Sequence, residues 1–145
     1  MSAGSICSRV VATAWPNERV RVAARRMAEK DVGTLVVLEP DGAPMPLGVV
    51  TDRDITVRCV AAGLDPDLAT VSKIMTAPVH AIEEDTPVEA AIARMATAAT
   101  RRLVVTDQEK RLVGIISLDD VLGLLAQELE PIGRLVEKQQ PRILA

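Results

Sequence analysis

Two short phrases hold the residues that could do chemistry: Gly48-Val49-Val50-Thr51-Asp52-Arg53-Asp54 and Gly114-Ile115-Ile116-Ser117-Leu118-Asp119-Asp120. Each runs glycine, two apolar residues, Ser or Thr, two free positions, then Asp. The pattern describes a strand running into a helix start, where unpaired backbone N–H groups and the helix dipole favour an anion such as phosphate. A hydroxyl at that junction, Thr51 or Ser117, can donate to a phosphate oxygen. A carboxylate one turn in, Asp54 or Asp120, can accept from both hydroxyls of a ribose. Glycine on the strand would let a flat base or a sugar approach the backbone. The same spacing also describes a plain helix start, with Ser or Thr as cap and an acid three residues on answering the dipole. The two readings are not exclusive.

The elements that must position these residues are themselves written twice. A shift of 68 positions lays Val20 on Val88, Ala23 on Ala91, Arg26 on Arg94, Met27 on Met95 and Leu35-Val36-Val37 on Leu103-Val104-Val105. After a two-residue deletion the shift becomes 66, and Gly48, Thr51 and Asp54 meet Gly114, Ser117 and Asp120. A duplicated unit of this length implies two similar half-folds about a pseudo-twofold axis. Each copy reads strand, helix, strand, strand, helix, which places the chain among mixed α/β (α+β) folds built of two β-α-β-β-α repeats with a C-terminal helix.

In copy one, Val10 to Thr13 reads as a short strand. Val20, Ala23, Ala24, Met27 and Ala28 give a helical stripe stopped by Gly33. Leu35 to Leu38 and Leu47 to Val50 read as buried strands joined by a turn-rich loop. A helix from about Asp52 to Ala62 follows. In copy two, Val79 to Ile82 is the first strand. Thr86-Pro87-Val88-Glu89 has the form of a capping box with proline at the first helical position. Val88, Ala91, Ile92, Met95 and Ala96 form the stripe, and Leu103 to Val105 and Leu112 to Ile116 pair as strands. Leu118, Val121, Leu125, Leu129, Ile132 and Val136 continue as one helical stripe, with a kink expected near Pro131. Its first half should pack on its own sheet, and the part beyond Pro131 suits either that or a partner chain. The expected divisions are repeat one at 5–63, a linker at 64–73, repeat two at 74–127, and a C-terminal helix and tail at 128–145.

Composition narrows the function. At 145 residues and 48% apolar content, the chain can bury a sizeable core without disulfides or metal. Trp15 is the lone aromatic residue, which argues against stacking platforms for single-stranded nucleic acid. A net charge of −3 weakens a nucleic-acid or anionic-membrane role further. Cys7 and Cys59 form no C-x-x-C and suit a reduced, cytoplasmic protein. The N-terminal apolar run is too short for a signal peptide or a membrane span. One histidine, no nucleophile–base pair, no metal-ligand cluster and no P-loop argue against an enzyme.

The doubled unit, closing each time on Gly-h-h-Thr/Ser-x-x-Asp (h, apolar), resembles a tandem pair of CBS domains, the regulatory Bateman module, over about residues 5 to 125. Thr51-Asp52-Arg53-Asp54-Ile55-Thr56-Val57-Arg58 with Ala61-Ala62-Gly63-Leu64-Asp65-Pro66 resembles small stand-alone bacterial members, and Ile74-Met75-Thr76-Ala77-Pro78-Val79 resembles the usual start of a second repeat. The resemblance implies no required cofactor. It implies an adenosine-type ligand: AMP, ADP, ATP, S-adenosylmethionine or a dinucleotide, held in clefts between the repeats. It implies that Asp54 and Asp120 hold the ribose, that Thr51 and Ser117 face phosphate, and that Ala12, Thr13, His80 and Ala81 line the base pockets. Basic groups are unevenly shared: Arg101-Arg102 stand where copy one has Gly33-Thr34, and Arg53 and Arg58 flank only the first motif, so two unequal clefts are expected. With no further domain to receive a signal, output would pass through a homodimer or an unidentified effector protein. The alternative is a ligand-independent interaction module in which Thr51 and Ser117 are only caps.

Overall fold

The computed structural model describes residues 1–139; positions 140–145 of the expected tail lie outside the described residues. Two three-stranded sheets carry the fold. The first has order β1 (Thr13–Ala14), β2 (Thr34–Leu38), β3 (Pro46–Thr51), and the second β4 (Ala81–Glu83), β5 (Arg102–Thr106), β6 (Leu112–Ser117). In each sheet the first pair is parallel and the second antiparallel. The registers match across the duplication: Thr34 faces Thr51 and Arg102 faces Ser117. The mixed α+β class and the repeat order stand as the sequence predicts.

Continuous apolar strands need cover on both faces. One face of each sheet is covered by a helix of its own copy. In α2 (Val20–Lys30) the side chains of Val20, Ala23 and Met27 are buried, and in α5 (Val88–Ala98) those of Val88, Ala91 and Met95. The other faces meet at the pseudo-twofold axis, where Val36, Leu38 and Val104 are buried with Val49 and Ile115 packed against them.

The chain also crosses over before each repeat. A short helix α1 (Ala3–Ile6) is built into the second core, its Ala3 N–H donating to the Thr86 carbonyl at 2.7 Å. In return α4 (Val71–Ile74) packs Val71 and Ile74 into the first core. After α1 and α4 come two extended segments that each lie against the other copy. Ser8 bridges to Ile115, and Thr76 bridges to Val49.

This crossing corrects several expectations. Val10 is not in a strand and is exposed, and β1 begins only at Thr13; β4 likewise begins at Ala81 rather than Val79. Helix α2 ends at Lys30 and is capped by Asp31, whose backbone takes the left-handed conformation (φ 52°) two residues before Gly33. Gly33 instead lies against Asp52, whose N–H donates to its carbonyl at 3.0 Å. Pro87 adopts extended backbone at the N-cap of α5, and no side-chain capping bond forms there. Ile92 faces partly outward. The expected helix over Asp52–Ala62 is a single turn, α3 (Asp52–Asp54), followed by π-helix over Ile55–Val60. Helix α6 (Leu118–Gln139) runs on through Pro131. Only Val121 of α6 is buried, with Leu118 and Leu124 packed beside it; Leu125 faces outward.

Candidate functional site: two clefts across the pseudo-twofold axis

Both motif glycines sit on the last strand of their sheet, directly under the crossing segment. A Cβ on Gly48 would stand 2.3 Å from the Thr76 carbonyl oxygen, and one on Gly114 would stand 2.5 Å from that of Ser8. The close approach that glycine permits is therefore to the other copy's lead-in segment, rather than to a base or sugar. By crossing there, each lead-in segment forms one wall of a cleft whose opposite wall is the hydroxyl–carboxylate junction.

Cleft one is a cavity of about 390 Å³. Thr51, Arg53 and Asp54 come to it from copy one, and Pro78, His80, Arg101 and Arg102 from copy two. Cleft two, of about 330 Å³, has Ser117 and Asp120 from copy two, Val10, Ala12, Asp31 and Thr34 from copy one, and again Arg102. Volumes of this order fall within the range of small-molecule sites. Thr13 and Ala81, expected in the base pockets, line neither cleft. Thr13 is the first residue of β1, with its carbonyl accepting from Arg26 at 2.8 Å, and Ala81 faces a separate cavity with Met45 and Lys110. Among the residues that sequence reasoning missed are Val10, Pro78, Thr34 and Asp31. The duplication itself carried a signal for Thr34, because the shift of 68 pairs it with Arg102.

Both helix starts are capped by their own motif. The Thr51 N–H donates to Asp54 Oδ2 at 2.9 Å and the Asp54 N–H to Thr51 Oγ1 at 3.1 Å. The Ser117 N–H donates to Asp120 Oδ2 at 2.7 Å and the Asp120 N–H to Ser117 Oγ at 3.2 Å. Ser117 Oγ also donates to Asp120 Oδ2 at 2.9 Å, whereas no described acceptor takes the Thr51 hydroxyl proton. Capping thus engages one oxygen of each carboxylate and leaves acceptor capacity on the other. Asp54 is buried, and its Oδ1 has Arg58 Nε at 3.8 Å. Arg58 is turned away from the cleft by two bonds of 3.1 Å to the carbonyls of Ile74 and Met75, so it anchors the crossing segment.

Charge separates the clefts. Cleft one sets three arginines against one carboxylate, Asp54; cleft two sets Arg102 against Asp31 and Asp120. Beside the second core, burial pushes the Cys7 thiol above its ordinary value; Arg9 pulls it down and the Asp120 charge adds to the rise. Cys7 and Cys59 belong to different cores.

Comparison with known proteins agrees with this geometry. The CBS domain family model matches residues 3–60 and 71–127. An uncharacterized protein of Methanopyrus kandleri is 33% identical over 122 residues, 84% of this chain and 61% of that protein, so the chain spans less than two thirds of that relative. A CBS domain protein of Pyrobaculum aerophilum, solved in complex with AMP, superposes with a TM-score of 0.75 at 28% identity over 83% of this chain and 89% of that one. The CBS domain pair of protein MJ0100, solved with 5′-methylthioadenosine and S-adenosyl-L-methionine, gives 0.75 at 26% identity over 86% and 99%. Two matched repeats, a shared fold and the crossed glycine junctions together make this chain a member of the CBS domain family, carrying its two domains as a tandem pair.

Proposed function

We propose that the chain is a non-catalytic regulatory module that binds an adenosine-type nucleotide, with cleft one as the stronger site. One observation carries the reading: the 390 Å³ cavity brings Thr51 and Asp54 of copy one together with His80, Arg101 and Arg102 of copy two. Asp54 would accept from the ribose hydroxyls, the Thr51 hydroxyl and the arginines would meet phosphate, and Pro78 and His80 would flank the base. The binding of AMP and of S-adenosyl-L-methionine by similar CBS proteins supports the ligand class. A ligand that touches both copies favours one arrangement of the two halves, which is what a sensor requires. Output through a homodimer or an effector protein, in the cytoplasm, completes the proposal.

A thermal-shift panel of AMP, ADP, ATP, S-adenosylmethionine and adenosine tests it. A ligand binding only the folded chain at a hundredfold excess over its dissociation constant stabilises by about 2.7 kcal/mol. At least one should raise the melting temperature, and a panel with no shift at millimolar concentration would end the nucleotide reading. A second reading, an interaction module without a ligand, is favoured by the two completed capping boxes, since each helix start has its capping bonds without any guest.

A further inference from the structure

Arg102 lines both clefts, as does its counterpart Thr34. Each opens the middle strand of its sheet, beside the motif hydroxyl of its own copy: Thr34 opposite Thr51, Arg102 opposite Ser117. The pseudo-twofold axis brings the two positions together between the clefts. Copy one fills the position with a neutral hydroxyl and copy two with a guanidinium, so two candidate phosphate positions share one cation. Among the described residues no carboxylate lies within ion-pair distance of Arg102, while its neighbour Arg101 has Asp119 at 3.7 Å. Cleft two has no other arginine in its lining and carries two carboxylates.

We infer that Arg102 couples the clefts antagonistically for anionic ligands. A phosphate in cleft one draws the guanidinium toward itself and leaves cleft two lined by Asp31 and Asp120 alone. A second phosphate-bearing ligand then enters a negative cleft and binds more weakly. A neutral ligand does not compete for the guanidinium, so its two binding events stay independent. A coupling of this kind is typically about 5- to 150-fold in affinity. The inference rests on the nucleotide reading of the clefts.

Calorimetric titration with AMP and with adenosine tests it, on the unaltered chain, Asp54→Ala, Arg102→Gln and the double variant. Disabling cleft one with Asp54→Ala should tighten AMP at cleft two about fivefold or more relative to the second step in the unaltered chain. The same change should leave adenosine at cleft two as it was, and Arg102→Gln should abolish the gain. His80→Trp, which plugs cleft one from the opposite wall, should reproduce the gain and guards against local unfolding in Asp54→Ala. If AMP binds the unaltered chain but cleft two is no tighter, or shows no binding, once cleft one is disabled, the coupling is wrong and nucleotide binding stands. If neither AMP nor adenosine binds the unaltered chain, both fall.

Discussion

The carbonyl oxygen of Thr76 lies where a methyl group on Gly48 would have to go, 2.3 Å from the ideal Cβ position. Two hydrogen bonds hold the approach, Val49 N–H to the Thr76 carbonyl at 3.0 Å and Thr76 N–H to the Val49 carbonyl at 2.8 Å. Gly114 and Ser8 repeat the arrangement, with the Ser8–Ile115 bonds at 2.8 and 3.0 Å. The glycine of the motif thus fixes how one copy is laced onto the other, and the clefts exist because of that lacing.

Gly48→Ala and Gly114→Ala should each destabilise the fold by about 1–3 kcal/mol, the usual cost of overpacking, because the obstacle is backbone and cannot rotate away. Gly123→Ala is the control. Nothing lies within 4 Å of its Cβ position inside α6, so it should be neutral or stabilise by up to about 1 kcal/mol. Urea unfolding midpoints decide the matter, and equal effects at Gly48 and Gly123 would contradict the lacing.

Thr51→Ala removes a capping oxygen and should cost the free chain about 1 kcal/mol. Asp54→Asn keeps an oxygen for the Thr51 N–H but loses the carboxylate. It should therefore keep most of the stability of the free chain while losing the share of the nucleotide-induced rise in melting temperature that comes from cleft one. If Asp54→Asn retains that rise in full, Asp54 serves the helix start alone.

The repeat, the strands and the junction residues were legible in the sequence because each leaves a local mark: continuous apolar runs, helical stripes, and a phrase written twice. Thr51 and Asp54 fall in one cleft and Ser117 and Asp120 in the other, each pair at the strand-to-helix junction that its spacing suggested. What local pattern could not supply was the crossing of the chain. Val10 to Ala12 has strand-like composition but follows a segment paired to Ile115 of the other copy, so β1 starts late. The cleft wall therefore takes Val10, Ala12, Pro78 and His80, while Thr13 and Ala81 enter the sheets. The clash behind each motif glycine depends on a backbone 28 positions later or 106 positions earlier, a distance no periodicity reports.

Arg21 on α2 donates through Nη2 to Asp67 Oδ2 at 3.0 Å, and through Nε to Oδ1, tying the helix to the connection between the repeats. The hydrogen bond from Arg21 holds the Asp67 carboxyl below the ordinary aspartate range, and the same pair raises Arg21. A lowered folded-state pKa stabilises above the unfolded value, and that stability is lost as pH falls through the folded value. The difference in urea midpoint between the unaltered chain and Asp67→Asn should hold steady near neutrality. It should shrink as pH drops below about 4, the ordinary aspartate value, and vanish at lower pH. A difference that grew on acidification would show that the pair does not act through its charge.

Helix α6 leaves Leu122, Leu125, Leu129, Ile132 and Val136 between 46% and 60% exposed, at spacings of 3, 4, 3 and 4. That spacing keeps one seam facing a neighbouring helix along several turns, as in a coiled coil. Pro131, which cannot donate a backbone bond, falls between seam positions Leu129 and Ile132 rather than on the seam. If the proposed homodimer forms through this helix, Leu129→Glu should lower the mass measured by sedimentation equilibrium while shifting the unfolding of the core by no more than about 0.5 kcal/mol, as for a surface change. Leu103→Ala should do the reverse, costing about 2–5 kcal/mol from a fully buried position without altering the association of the folded chain. An unchanged mass for Leu129→Glu, Leu125→Glu and Ile132→Glu alike would place the dimer contact elsewhere, because a carboxylate in a closed apolar seam has no partner to offset its desolvation.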